Sequence, residues 1–471
     1  MLNQDDNQFE ISWSNPEQVI FAQGQELITV RDWLIQLQAV VQYCEARQGD
    51  SVLLYHPDTV SFSLWFCALT HLGKQIILAP NAQPETLAEA ALHADWSVPE
   101  SFPPYRDDSF ALKQNDSDLL SGQPLKQSLK LSLKLSLSRQ SRICFFTSGS
   151  TGIPKLIRKT LDQLLIEVGC LERAFGDALL SESVFAATVS HQHIYGLLFR
   201  ILWPLSTERV IYRSSIAFFE QWQSLLEAHS VVLIASPAHL SRFAELDQLS
   251  ASKSNISAIF SSGGPLADHL PSFYTEHLGQ APIEIFGSTE TGGIAFRQRH
   301  GHSHRQQQQY STFWHAFKDV TLSQADDGCL IIRSPYLDSC EPYQTQDQVL
   351  FHSPDSFELL GRADRIVKVE EKRLSLTELE KLCLQHPFIK EVIALVLSHS
   401  RVQLALVVVL TEQGQAQLEQ QGKRALNELL RSHLSTRFER VQLPKKFRYV
   451  AQLPYNEQGK LPRQTLEALF L

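Results

Sequence analysis

Short apolar runs alternate with longer amphipathic stretches along most of the chain. Residues 52–55 (Val-Leu-Leu-Tyr) and 76–79 (Ile-Ile-Leu-Ala) flank an amphipathic segment, 59–72, closed by Gly73. This is the grammar of a strand, helix, strand unit with parallel strands. Residues 184–189, 231–235, 256–260 and 283–286 are further β-prone runs, each separated from the next by a helical stretch. Strands buried on both faces of a parallel sheet have this character. The apolar run 143–146 reads as a strand entering a glycine- and hydroxyl-rich loop, and an amphipathic helix is predicted after Thr160. The pattern predicts an α/β fold, with a large N-terminal domain over residues 1–362 built of α/β subdomains with mostly parallel sheets.

Two regions depart from this rhythm. Between 103 and 140 the chain turns polar, and residues 129–137 (Leu-Lys-Leu-Ser-Leu-Lys-Leu-Ser-Leu) alternate with period two. That repeat, with its approach from 125, reads either as one half-exposed strand or as a low-complexity insertion, and no chemistry attaches to it. Beyond Arg362 a strand-like run at 366–369 precedes Ser375-Leu-Thr-Glu378, the capping-box spacing that starts a helix. Runs at 392–397 and 402–410 and a polar helix from about 415 to 432 follow. A small α+β domain over 363–471 is predicted.

Composition narrows the classes. At 471 residues, 43% hydrophobic and 20% charged, the chain can bury one large and one small core. A net charge of −9 argues against a sequence-independent nucleic-acid binder, which needs clustered Lys and Arg. The seven cysteines, at 44, 67, 144, 170, 329, 340 and 383, are odd in number and include no C-x-x-C pair. They read as reduced core residues rather than a disulfide framework or a zinc site. Residues 1–10 are acidic and polar, and no run approaches transmembrane length, so a cytoplasmic location without membrane insertion is expected.

The chemistry lies in the loops. Segment 146–155 reads Phe-Thr-Ser-Gly-Ser-Thr-Gly-Ile-Pro-Lys. Gly149 and Gly152 let the backbone approach an anion, while N–H groups and hydroxyls donate to phosphate oxygens and Lys155 adds a positive charge. The loop points to ATP; taken alone it could equally be a plain turn. The G-x-x-x-x-G-K-[ST] spacing is absent, which disfavours a Walker-type NTPase. Further loops of similar character are Ser-Gly-Gly-Pro-Leu at 262–266, Phe-Gly-Ser-Thr-Glu-Thr-Gly-Gly at 286–293, Tyr-Gln-Thr-Gln-Asp at 343–347 and Gly-Arg-Ala-Asp at 361–364. A closing Gly/Pro segment, 453–463, carries Gly459-Lys460.

In identity and order these six segments resemble the adenylate-forming (AMP-binding) superfamily: acyl- and aryl-CoA synthetases, peptide-synthetase adenylation domains and luciferases. The resemblance spans roughly residues 50 to 465. It implies an ATP-dependent ligase in which a carboxylate attacks the α-phosphate of MgATP, releasing pyrophosphate, before a pantetheine thiol of CoA or of an acyl carrier protein takes the acyl group. Such chemistry asks for positioning and charge stabilisation rather than covalent catalysis. The resemblance assigns the β- and γ-phosphates to Thr147, Ser148, Gly149, Ser150, Thr151, Gly152 and Lys155, and Mg²⁺ to Glu290 with Thr151. It puts Thr289 beside the α-phosphate, Gly263, Gly264 and Pro265 along the adenine, and Phe286 with Gly287 on the base. Asp347 would accept from the ribose hydroxyls and Arg362 donate to the same sugar. Lys460 would be the catalytic lysine. The small C-terminal domain would be mobile, turning about Asp364, so that the segment from Lys368 through Glu371 to Arg373 lines the thiol channel.

Departures refine the expectation. Glu371 stands where the family usually has glycine, which puts free CoA as acceptor in doubt, and Gln346 replaces a common glycine. The Glu-Glu-Lys-Arg version further resembles stand-alone synthetases of bacterial aryl-polyene and related pigment pathways. Residues 189–196 (Val-Ser-His-Gln-His-Ile-Tyr-Gly) hold no acid to meet a substrate ammonium, so an amino-acid substrate is disfavoured. An aryl or medium-chain acid is expected. His193 matches a histidine flanking the acyl pocket, with Val189, Tyr195, Ser262, Ser288 and Gly292 forming its floor; His191 has no such match. The other class of reading is a non-catalytic, nucleotide- or partner-binding member of the same fold.

Overall fold

A computed structural model describes residues 7–100, 133–148, 154–245, 255–299, 313–337, 341–369, 372–398, 402–456 and 461–471. It is a mixed α/β fold built on two large sheets. The smaller, five-stranded one runs Trp96–Ser97, Ser51–Leu54, Gln75–Leu78, Arg142–Ser148 and Pro154–Thr160 in spatial order. Its first four strands are parallel, and the fifth folds back antiparallel on the fourth. Among the described residues the larger sheet has thirteen strands. At its centre Ile283–Ser288, Ile256–Ser261, Val231–Ala235, Val184–Ala187, Val210–Ser215 and Val19–Gln23 lie parallel. Antiparallel strands extend both ends.

The helix Thr59–His71 sits between the sheets, against Ser51–Leu54 and Gln75–Leu78 on one side and Val210–Ser215 on the other. Read from sequence as amphipathic, it is buried from Thr59 through Thr70. Its serines and threonines supplied the apparent polar face. They are small enough to enter a core because they bond inside it: Ser63 Oγ donates to Val60 O at 2.7 Å and Thr70 Oγ1 to Phe66 O at 2.8 Å. A helix covered on every side loses its polar stripe.

The period-two repeat is a strand over Lys134–Ser138, paired antiparallel with Gln8–Ser12. Leu135 and Leu137 point into the main core and Lys134 outward. Its earlier part, 125–132, lies outside the described residues.

At the C-terminal end, Ile366–Val369 and Lys372–Ser375 form a hairpin, and Ile389–Ser398, Val402–Leu410 and Lys446–Tyr449 form a three-stranded sheet. The helices Leu376–Leu384, Glu412–Leu434 and Arg463–Ala468 accompany them. Ser375 Oγ accepts from Glu378 N at 3.2 Å, the predicted cap. The long helix bends at Gly422, where φ is +79°. Two apolar clusters, drawn from residues 367–449 and 393–470, serve this end alone. Six cysteines are buried and none forms a disulfide among the described residues; Cys340 lies outside them. No helix among the described residues is long and apolar enough to cross a membrane.

Candidate active site

Parallel strands deliver their loops to one edge, and several motif loops meet there. Gly263, Gly264 and Pro265 follow Ile256–Ser261, whose neighbour Ile283–Ser288 carries Phe286 and Gly287. Ser262 Oγ donates to Ile285 O at 3.0 Å, tying the two loops together. Phe286 is half-buried, its ring centroid 5.3 Å from that of Trp314 and 6.1 Å from that of Phe357. Thr289 and Glu290 occupy the turn between Ile283–Ser288 and Gly292–Gln298. Ser288 N donates to Thr291 Oγ1 at 3.0 Å and Thr291 N to Ser288 Oγ at 3.2 Å, so these side chains close it. A Cβ on Gly287 would stand 2.1 Å from Gly292 O, and Gly292 has φ +68°. The turn needs glycine at both places.

The phosphate-type loop is the tip of a β-hairpin. Arg142–Ser148 pairs antiparallel with Pro154–Thr160, with Thr147 opposite Lys155 and Ser148 opposite Pro154. The helix read after Thr160 begins at Leu161, with Thr160 as its cap. A strand that the sequence reading lacked separates it from the loop. Residues 149–153, and so Gly149, Ser150, Thr151 and Gly152, lie outside the described residues; Lys155 is exposed.

Two buried charged side chains run from this hairpin and helix to the Glu290 turn. Lys159 Nζ donates to Glu290 O at 2.6 Å and also to Tyr336 O. Glu167, on Leu161–Phe175, accepts from Gly293 N at 2.6 Å. Burial pushes the Glu167 carboxyl up to about 7, against the lowering effects of the Gly293 N–H and the Lys159 ammonium.

Asp347 and Arg362 are cross-strand partners in the hairpin formed by Tyr343–Ser353 and Ser356–Arg362, with Arg362 Nη1 3.5 Å from Asp347 Oδ1. Tyr343 lies near both. Its hydroxyl is held above its ordinary range first by desolvation, then by the Glu290 and Asp347 charges, with Arg362 opposing. A cleft of about 290 Å³ is lined by Arg158, Glu290, Glu341, Tyr343 and apolar neighbours. The structure thus gathers Glu290, Tyr343, Asp347 and Arg362, and ties Glu290 to the hairpin of Arg142–Ser148 and Pro154–Thr160.

Three of the motif loops, 146–155, 262–266 and 286–293, fall inside a stretch that matches a known family. The family described as AMP-binding enzyme matches residues 47–314. The chain belongs to the adenylate-forming AMP-binding enzyme family. It is 24% identical to the 4-coumarate–CoA ligase of Cereibacter sphaeroides over 324 residues, 68% of this chain and 70% of that protein. It is 32% identical to malpinin synthetase of Mortierella alpina over 139 residues, 29% of this chain but only 2% of that much longer protein. ATP-bound MatB from Rhodopseudomonas palustris superposes with a TM-score of 0.72, covering 97% of each chain at 15% identity, a likeness of fold.

In this AMP-binding enzyme, His193 is half-buried at the start of the short helix Ile194–Gly196. His191 is buried, and its Nε2 faces His56 O at 2.8 Å. Desolvation first, then the Arg200 charge, lowers His191 to about 3, so it is neutral near pH 7 and serves the backbone. Arg200, fully buried, donates to Val189 O at 3.2 Å and to Ser215 Oγ at 2.8 Å, fixing the wall expected to meet the acid. Tyr195 OH donates to Ala235 O at 3.3 Å.

Asp364 falls in the turn Ala363–Arg365, and Lys368 stands opposite Arg373 in the following hairpin. Glu371 and Lys460 lie outside the described residues. Lys159 and Glu167 were missed by sequence reasoning. Their signal was faint: Glu167 stands beside Leu164, Val168 and Leu171 on the buried face of its helix, where a charge requires a partner.

Proposed function

We propose that the chain is an ATP-dependent carboxylic acid ligase that forms an acyl adenylate and passes the acyl group to a pantetheine thiol. A substrate carboxylate oxygen attacks the α-phosphorus, the bond to the bridging oxygen of pyrophosphate breaks, and pyrophosphate leaves. The thiol then attacks the acyl carbon, and the acyl bond to AMP breaks. The observation that carries this reading is the Asp347–Arg362 pair beside the cleft holding Glu290, with the Glu290 turn bonded to the phosphate hairpin.

In this reading residues 149–153, with Thr147, Ser148 and Lys155, grip the leaving pyrophosphate. Asp347 and Arg362 hold the ribose, and Gly263 to Pro265 with Phe286 and Gly287 form the adenine slot. Thr289 lies at the α-phosphate and His193 at the acid. Lys460, on a C-terminal domain over 363–471 that turns about Asp364, offsets the repulsion between carboxylate and phosphate. Residues 1–362 form the nucleotide-binding domain.

The donor set suits Mg²⁺. No group of three or more metal-ligating side chains occurs among the described residues. Two carboxylates, Glu290 and Glu341, line the cleft. Mg²⁺ at nucleotides is commonly held by one or two carboxylates plus phosphate oxygens and water, and Glu290 with Thr151 would supply the protein share. Bound there, the ion neutralises developing charge on the phosphates.

The curated relative named for 4-coumarate supports an aryl acid and CoA as acceptor. Glu371 supports a carrier-bound pantetheine instead. Acid-dependent ATP–pyrophosphate exchange across benzoates, cinnamates and medium-chain fatty acids tests the reading, followed by CoA against holo carrier protein as thiol. Exchange with an acid supports the ligase. Nucleotide binding with no exchange from any acid defeats it and favours a non-catalytic nucleotide-binding member of the fold.

A further inference from the structure

The buried pair Lys159 and Glu167 does more than fill a core. Both are 3% exposed, and each spends its charge on the backbone of the 289–293 turn: Lys159 on Glu290 O at 2.6 Å, Glu167 on Gly293 N at 2.6 Å. The two bonds bracket that turn near both ends. Both residues also belong to the segment that leaves the phosphate hairpin, Lys159 on Pro154–Thr160 and Glu167 on Leu161–Phe175. Gln163, between them on the same helix, donates to Leu337 O at 2.8 Å, and Lys159 reaches Tyr336 O. Three side chains thus bind two separate loops to one rigid element.

We infer that Lys159 and Glu167 are positioning residues that hold the Glu290 turn in register with the phosphate hairpin, and so set the geometry in which Glu290 meets a nucleotide-bound divalent cation. The inference rests on the ligase reading only for the role of Glu290. A buried ammonium and carboxylate each carry a desolvation cost that apolar residues of similar size would avoid. Their presence is explained by what they hold: a backbone carbonyl and an N–H of a turn whose Glu290 lines the cleft. Apolar replacements would bury the same area and leave both turn groups unpaired.

The test separates nucleotide affinity from cation response, using the full chain with α,β-methylene-ATP and AMP as probes in titration calorimetry. Lys159→Met and Glu167→Ala are expected to raise the Mg²⁺ concentration for half-maximal binding of the ATP analogue by about tenfold or more, the scale of losing a group that orients a metal ligand. AMP binding without Mg²⁺ should stay within about twofold, because the ribose and adenine contacts are untouched. Glu167→Gln keeps an acceptor oxygen for Gly293 N–H and is expected to restore the wild-type Mg²⁺ response. A parallel loss of AMP and analogue binding, or an unchanged Mg²⁺ response in folded Lys159→Met, overturns the inference. Should Lys159→Met fail to fold, the contrast between Glu167→Ala and Glu167→Gln decides, and equal responses of those two count against it. Wild-type protein that binds the Mg²⁺ nucleotide but exchanges no acid defeats the ligase reading while leaving this comparison intact.

Discussion

Asp347 and Arg362 face each other across an antiparallel strand pair, their charged groups 3.5 Å apart, Asp347 largely buried and Arg362 half-exposed. A carboxylate offers two acceptor oxygens and a guanidinium several N–H donors, the chemistry that a ribose diol asks of this pair in the proposed function. Asp347→Asn and Arg362→Ala should each raise the KM for ATP in pyrophosphate exchange by roughly tenfold to a hundredfold, the scale of hydrogen bonds to charged groups. The urea midpoint should move little, since a partly exposed pair contributes at most about 1 kcal/mol. Loss of stability without loss of ATP affinity would make the pair structural.

Three glycines rank the strain in the 262–266 and 286–293 loops. A Cβ at Gly263 meets no atom within 4 Å, one at Gly292 meets Glu167 Oε2 at 2.5 Å, and one at Gly287 meets the backbone oxygen of Gly292 at 2.1 Å. Gly263→Ala carries only the cost of its left-handed backbone, about 1 kcal/mol. Gly292→Ala and Gly287→Ala should be progressively worse, by roughly 1–3 kcal/mol more, because a side-chain tip yields and a backbone carbonyl does not. Urea denaturation of the three variants checks the order.

Glu167 predicts a pH dependence of stability. Its carboxyl moves from 4.5 to about 7 on folding, so the folded state binds the proton more tightly than the unfolded chain. The stability this confers is fully present below 4.5 and is lost as pH rises through about 7. Glu167→Gln, which does not titrate, should therefore gain on the wild type across that window, by at most about 3 kcal/mol. A stability difference independent of pH between pH 4 and pH 8 would contradict the shift.

The two half-reactions should separate at Lys460. Lys460→Ala is expected to abolish acid-dependent pyrophosphate exchange while leaving thiol transfer from a supplied acyl adenylate largely intact; equal loss of both removes the assignment. If Glu371 narrows the thiol channel, Glu371→Gly should raise turnover with CoA, and unchanged kinetics would discount that narrowing.

Much of this was legible in the chain. Runs such as Val231–Ala235 and Ile256–Ser261 are apolar at nearly every position because both faces of a central strand are covered, and the pattern states it directly. The motif loops were legible by their residue identity and order along the chain, and the family match over residues 47–314 takes in three of them. The hairpin strand Pro154–Thr160 was not, since Lys155, Arg158 and Lys159 break the apolar run. Nor was the burial of the helix Thr59–His71, whose hydroxyls look like a wet face until their intrahelical bonds are seen.

Sequence alone determined the fold class, which follows from periodicity, and the family, which follows from the identity and order of its motif loops. Tertiary structure alone decided what Lys159 and Glu167 are for. A lysine and a glutamate eight positions apart look like ordinary surface charges until the fold carries the backbone of Glu290 and Gly293, more than a hundred residues onward, against them. Burial then makes each charge demand a partner, and only long-range packing supplies one.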